Sequence, residues 1–116
     1  MILAASLAMA APPAFAQDIA RGKALFAKCA ACHSFSASKN DLGPNLRRIV
    51  GRKAGAVRAF DYSGAMRQSA IVWDEASLNA FLAEPRVLVP RTRMIPTAAI
   101  EDPQDRRDLI AYLKTQ

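Results

Sequence analysis

Five consecutive residues, Cys29-Ala30-Ala31-Cys32-His33, hold both cysteines and the only histidine of the 116-residue chain. A C-x-x-C-H run reads as a site of covalent c-type haem attachment. On a helical turn, thiols three residues apart face the same side, where they can add to the two vinyl groups of a porphyrin as thioethers. The histidine that follows is then held under the ring, with a neutral imidazole able to bind the iron from one face. Other uses of the same residues fit less well. A thioredoxin-like dithiol needs a βαβ setting, and the sequence shows no strand-rich pattern. A zinc site needs a second Cys or His pair to complete four ligands, and none exists. A plain disulfide leaves the adjacent His33 without a role.

The beginning of the chain bears on this chemistry, because thiols that receive haem must reach an extracytoplasmic compartment. Residues 2–11 are an apolar run too short to span a bilayer comfortably, and Pro12-Pro13-Ala14-Phe15-Ala16 follows with the small-x-small pattern of a signal-peptidase site. Cleavage is expected after Ala16, with residues 1–16 as signal peptide and residues 17–116 as one domain in the periplasm. No Lys or Arg precedes the apolar run, which leaves open a start further upstream; an uncleaved membrane anchor is the alternative use of the segment. The segment carries no charge, so the formal +6 belongs to residues 17–116. A domain of this size buries only a modest core by itself. Hiding roughly 400 Å² of porphyrin would add about 10 kcal/mol before entropic and polar costs.

Asp18 is placed to cap a first helix running to about residue 32, with Ile19, Leu25 and Phe26 on its apolar side. Gly22 lowers helix propensity there and implies close approach by another element. Residues 34 to about 55 carry turn chemistry, and a long loop in a small domain usually wraps something. A short helix is expected over residues 63–69, capped by Ser63. Another begins at the Asp74 cap and runs through Leu78, Phe81 and Leu82 until Pro85 stops it. Residues 86–98 are too punctuated by proline to be helical. A last helix has Asp102 as cap, Pro103 at its first position and an apolar face of Leu109, Ile110, Tyr112 and Leu113. The fold class is all-α, with few helices and long loops.

With a single histidine, bis-histidine ligation is excluded, and a second protein ligand to the iron would be a thioether sulfur. Residues 17–116 offer Met66 and Met94. Met66 falls in a short helix, where methionine usually fills core. Met94 lies in the proline-rich stretch Val89-Pro90-Arg91-Thr92-Arg93-Met94-Ile95-Pro96, which can present it at a fixed angle, and position favours it.

Several ordered motifs now coincide: Gly22-Lys23, the C-x-x-C-H run, Gly43-Pro44-Asn45-Leu46, Gly51-Arg52-Lys53-Ala54-Gly55, Tyr62-Ser63, Trp73-Asp74-Glu75, Val89-Pro90 with Thr92 and Met94, and Asp108-Leu109-Ile110-Ala111-Tyr112-Leu113. In these the chain resembles the class I cytochromes c, specifically the soluble bacterial relatives of mitochondrial cytochrome c, over essentially all of residues 17–116. The resemblance implies the cytochrome c fold, three to five short helices with long loops wrapped around one covalent haem c. It implies that Cys29 and Cys32 hold the haem and that His33 and Met94 bind its iron. The Pro44 carbonyl would accept a hydrogen bond from the His33 ring. Arg52, Tyr62 and Trp73 would hydrogen-bond or neutralise the propionates, with help from the Thr92 hydroxyl; as lone aromatics, Tyr62 and Trp73 serve equally well as core. The first and last helices would cross at Gly22, packing Phe26 and Tyr112. The chain departs from the pattern at Arg91, where relatives often have glycine, so the loop is expected to be remodelled. Ile95-Pro96-Thr97 is expected to change solvent access beside Met94. Phe81 replaces a tyrosine and Met66 a polar residue common near the methionine sulfur.

The function implied is that of a monomeric one-electron carrier, not an enzyme and without nucleic-acid partners or membrane insertion after cleavage. Lys23, Lys28, Arg86 and Arg93 are candidates for a basic rim that meets acidic redox partners such as a quinol-oxidising complex or a terminal oxidase. Ordinary solvated charge is the plainer use of the same side chains. Alternatives are a haem-c subunit docked in a larger redox enzyme and an open-site haem sensor or enzyme.

Overall fold

The computed structural model describes residues 2–7 and 17–116; the expected cleavage point after Ala16 lies outside the described residues. Among the described residues no helix is long and apolar enough to cross a membrane.

Each longer helix starts where a short polar side chain satisfies an orphan backbone donor. Asp18 accepts from the Arg21 amide at the head of α1 (Ile19–Phe26). Ser63 accepts from Met66 N ahead of α2 (Gly64–Gln68). Asp74 and Ser77 bond reciprocally at the start of α3 (Glu75–Ala83), and those bonds, the Ser77 amide first, hold the Asp74 carboxyl below its ordinary range. Asp102 accepts from Gln104 N before α5 (Pro103–Leu113), whose first residue is a proline that needs no donor. All four caps fall where the sequence places them.

Two expectations are corrected. The first α-helix ends at Phe26 rather than near residue 32. Beyond it Ala27, Lys28 and Cys29 donate to carbonyls three residues back, so the chain tightens into turns before Ala30 and His33 return to the four-residue spacing. Pro85 does stop α3, because the preceding Glu84 is driven out of the helical region (φ −148°). Yet residues 86–98 are not purely loop. Pro85 opens α4 (Pro85–Leu88), and a 3-10 turn covers Pro96–Ala98.

The fold closes by bringing its two ends together. α1 packs most extensively on α5, and the crossing sits at Gly22, where an added Cβ would lie 2.0 Å from the Asp108 carbonyl oxygen and 2.8 Å from Tyr112 Cβ. Asp108, buried on α5, accepts from the backbone N–H of Asp18 at 2.9 Å. Phe26 stacks on Phe35 and meets Tyr112, with ring centroids 4.5 and 5.8 Å away. Between α1 and α5 the shorter helices are joined by loops, with no strand among the described residues and one isolated antiparallel bridge, Lys53 to Val72.

The haem-binding cavity

Loops and helices together enclose a cavity of about 1110 Å³, slightly above the roughly 300–1,000 Å³ usual for cofactor sites. All nine residues expected at the site line it: Cys29, Cys32, His33, Pro44, Arg52, Tyr62, Trp73, Thr92 and Met94. The remaining wall is largely apolar, with Leu46, Ile49, Met66, Leu78, Phe81 and Leu109 among its members.

The turns after α1 leave Cys29 half-buried and Cys32 exposed, both as free thiols. Burial pushes the Cys29 thiol above its ordinary pKa; Cys32 adds to the rise and Lys28 opposes it. The His33 amide bonds back to the Cys29 carbonyl at 2.9 Å, tying the histidine to the thiol turn. Its ring Nδ1 lies 2.8 Å from the Pro44 carbonyl oxygen. A carbonyl can only accept, so Nδ1 carries the proton and Nε2 keeps its lone pair. Burial pulls the His33 pKa below its ordinary value, against the Pro44 bond, and so favours the neutral ring. Gly43 makes this approach possible, since a Cβ there would lie 2.6 Å from His33 Cε1.

A short ladder positions two of the polar residues. Gly51 N donates to Trp73 O, Trp73 N to Arg52 O and Ala54 N to Ile71 O, which fixes Arg52 and Trp73 side by side from segments some twenty residues apart. Trp73 is buried against Phe81, ring centroids 5.1 Å apart. The Arg52 guanidinium is oriented by the Asn45 carbonyl at 2.6 Å, by Asn45 Oδ1 and by the Arg47 carbonyl. Among the described residues no carboxylate pairs with it. Desolvation lowers its pKa, and the same cause raises that of Tyr62, whose oxygen accepts from Val57 N. Thr92 is buried, and its hydroxyl accepts from Met94 N at 3.4 Å.

These residues fit a haem. Two free thiols, a neutral imidazole with its lone pair available and a thioether line one mostly apolar cavity. The same wall holds an arginine with no acidic partner among the described residues, and the Tyr62, Trp73 and Thr92 donors suited to carboxylates. Sequence reasoning missed Gly43, which makes room for the imidazole, and Asn45, which aims Arg52. Both sit in the Gly43-Pro44-Asn45-Leu46 stretch, where only Pro44 was expected to act.

At Arg91 the backbone freedom expected to be lost with glycine is used all the same. The arginine takes the left-handed conformation itself, φ +62°, which a glycine would occupy without strain. Arg91→Gly is expected to raise stability by about 1 kcal/mol, read as a higher denaturant midpoint; an unchanged or lower midpoint would show that the turn stores no strain. Of the proposed basic rim, Lys28 and Arg93 border the cavity, while Lys23 and Arg86 do not line it.

Fold and site together define a small all-α protein built to enclose one haem stitched to a C-x-x-C-H turn. The chain belongs to the cytochrome c family, whose family model, Cytochrome c, matches residues 19–116. It is 39% identical to a cytochrome c2 of Rhodomicrobium vannielii, an alignment covering 99% of this chain and 92% of that protein. It is 41% identical to a cytochrome c2 of Blastochloris viridis, covering 97% and 86%. The structure superposes on cytochrome cH from Methylobacterium extorquens with a TM-score of 0.79 and 44% identity, over 85% of this chain and 99% of that one. The protein is thus a class I cytochrome c that holds one covalent haem c and transfers electrons rather than acting as an enzyme.

Proposed function

We propose that this cytochrome is a diffusible, monomeric, periplasmic one-electron carrier whose iron is bound by His33 Nε2 and Met94 sulfur. In this reading residues 1–16 are a cleaved signal and residues 17–116 the working domain. The observation that carries it is the convergence of all nine expected residues on one cavity.

The haem supplies the one-electron couple, and a methionine ligand raises its potential by favouring the reduced state. The protein supplies the surroundings. Pro44 fixes the tautomer and orientation of His33 and increases the basicity of its free nitrogen. Arg52, Tyr62 and Trp73 offer positive charge and donors to the propionates, so that these can be buried. The apolar wall excludes water, and a packed pocket with fixed ligands needs little rearrangement on each transfer. The net charge of +6, with Lys28 and Arg93 at the cavity, favours acidic partner faces such as those of a quinol-oxidising complex or a terminal oxidase.

The test is a redox-titrated visible spectrum of the exported protein and of Met94→Ala. The oxidised protein should show a sulfur-to-iron charge-transfer band toward the red end, and the variant should lose it and bind carbon monoxide when reduced. A wild-type protein lacking the band, or taking up carbon monoxide freely, would exclude Met94 as ligand.

A further inference from the structure

Residues 90–99, which carry Met94, are held almost entirely by bonds within their own neighbourhood. Thr92 N donates to Val89 O, Met94 N to Thr92 Oγ1, Ala98 N to Ile95 O and Ala99 N to Pro96 O, each reaching two or three residues back. Among the described residues, the hydrogen bonds tying this stretch to a distant part of the chain come from one atom. Arg93 Nη1 donates to the Asp61 carbonyl oxygen at 2.7 Å and to Asp61 Oδ2 at 3.1 Å. The other Asp61 oxygen, Oδ1, meets Arg67 Nη1 on α2 at 3.4 Å. The residue next to the proposed sulfur ligand is therefore fastened to the residue next to Tyr62, itself a wall of the cavity.

We propose that Asp61 and Arg93 form a latch, with Arg93 acting as a positioning residue that keeps Met94 turned into the cavity. The inference rests on Met94 being the sulfur ligand. Both side chains of the pair are largely exposed, Arg93 56% and Asp61 76%. An exposed ion pair is weak and is screened by salt. That suits a catch that opens and recloses better than a permanent staple. The left-handed turn at Arg91 lies on one side of the latch and the exposed Ile95 on the other; besides the latch, this part of the loop is held by the burial of Thr92 and the packing of Met94 on the core. When the latch opens, the thioether loses its preset direction and an external ligand can compete for its place.

The experiment is an equilibrium titration of the oxidised holoprotein with imidazole, followed by loss of the sulfur-to-iron band, with Asp61→Asn, Arg93→Gln and Arg93→Lys. Asp61→Asn keeps the backbone carbonyl contact and removes only the charge. At about 10 mM salt, Asp61→Asn and Arg93→Gln should bind imidazole about two- to fivefold more tightly than wild type. By about 1 M salt the difference should close for Asp61→Asn and shrink for Arg93→Gln, which also gives up the bond to the Asp61 carbonyl. Arg93→Lys should stay near wild type, because a single nitrogen makes both contacts to Asp61. Equal affinities at low salt, or a difference indifferent to salt, would overturn the latch while leaving Met94 as ligand. Absence of the band from the wild-type protein would overturn the ligand assignment and the latch with it.

Discussion

Gly22→Ala is expected to destabilise the holoprotein by about 3 kcal/mol, or roughly 15 °C in Tm for a domain of this size. The new Cβ would fall 2.0 Å from the Asp108 carbonyl oxygen and 2.7 Å from its carbon, both backbone atoms with no rotamer to escape into. Relief requires α1 and α5 to separate. That loosens Phe26 from Tyr112 and stretches the bond from Asp18 N to Asp108. Gly64→Ala is the matched control, since nothing lies within 4 Å of its added Cβ and the site is helical. There alanine should be neutral or stabilising by up to about 1 kcal/mol. Urea unfolding of the two variants decides the matter: a Gly22→Ala protein within about 0.5 kcal/mol of wild type would mean that the helix crossing is looser than the structure shows.

Gly43→Ala is expected to act on the ligand rather than on the helices. Its Cβ would press on His33 Cε1 at 2.6 Å and on Nδ1 at 2.8 Å, with the Cys32 carbonyl oxygen at 3.0 Å closing the other side. The imidazole must tilt away from Pro44 and give up the bond that fixes its tautomer. A stability loss of about 2 kcal/mol should accompany a changed reduction potential, because the basicity of the coordinating nitrogen depends on that bond. The haem should remain attached, since neither thiol is touched. Proton NMR of the Nδ1–H in the reduced holoprotein gives a direct reading: a resonance as protected and as shifted as in wild type would refute the steric account.

What was legible in the sequence was mostly what is settled within a few residues. Asp18, Ser63, Asp74 and Asp102 could be read as caps because a cap involves only its own first turn. The haem turn was legible because C-x-x-C-H carries its chemistry in five residues. Gly22 was readable as a crossing because glycine weakens a helix, and close packing against a neighbour offsets that weakness. The misses have a different cause. The early end of α1 depends on hydrogen bonds tightening where the chain must present two thiols, and helix propensity does not encode that. The pairing of residues 51–54 with 71–73, which sets Arg52 beside Trp73, leaves no alternating pattern in so short a stretch. Arg91 could not be seen to adopt a glycine's conformation, because its side chain argues against it. Asp61 gave no signal at all: its partners, Arg67 and Arg93, are six and 32 residues away.

The bond from Asp18 to Asp108 spans 90 residues, so the first helix finds its main partner only when the last has been delivered. A chain emerging amino end first therefore presents its two sulfurs long before the structure can shut over them. Once shut, the fold half-hides Cys29 and makes it a poorer thiolate. Cys29 is thus a readier nucleophile before the two ends of the chain have docked than after.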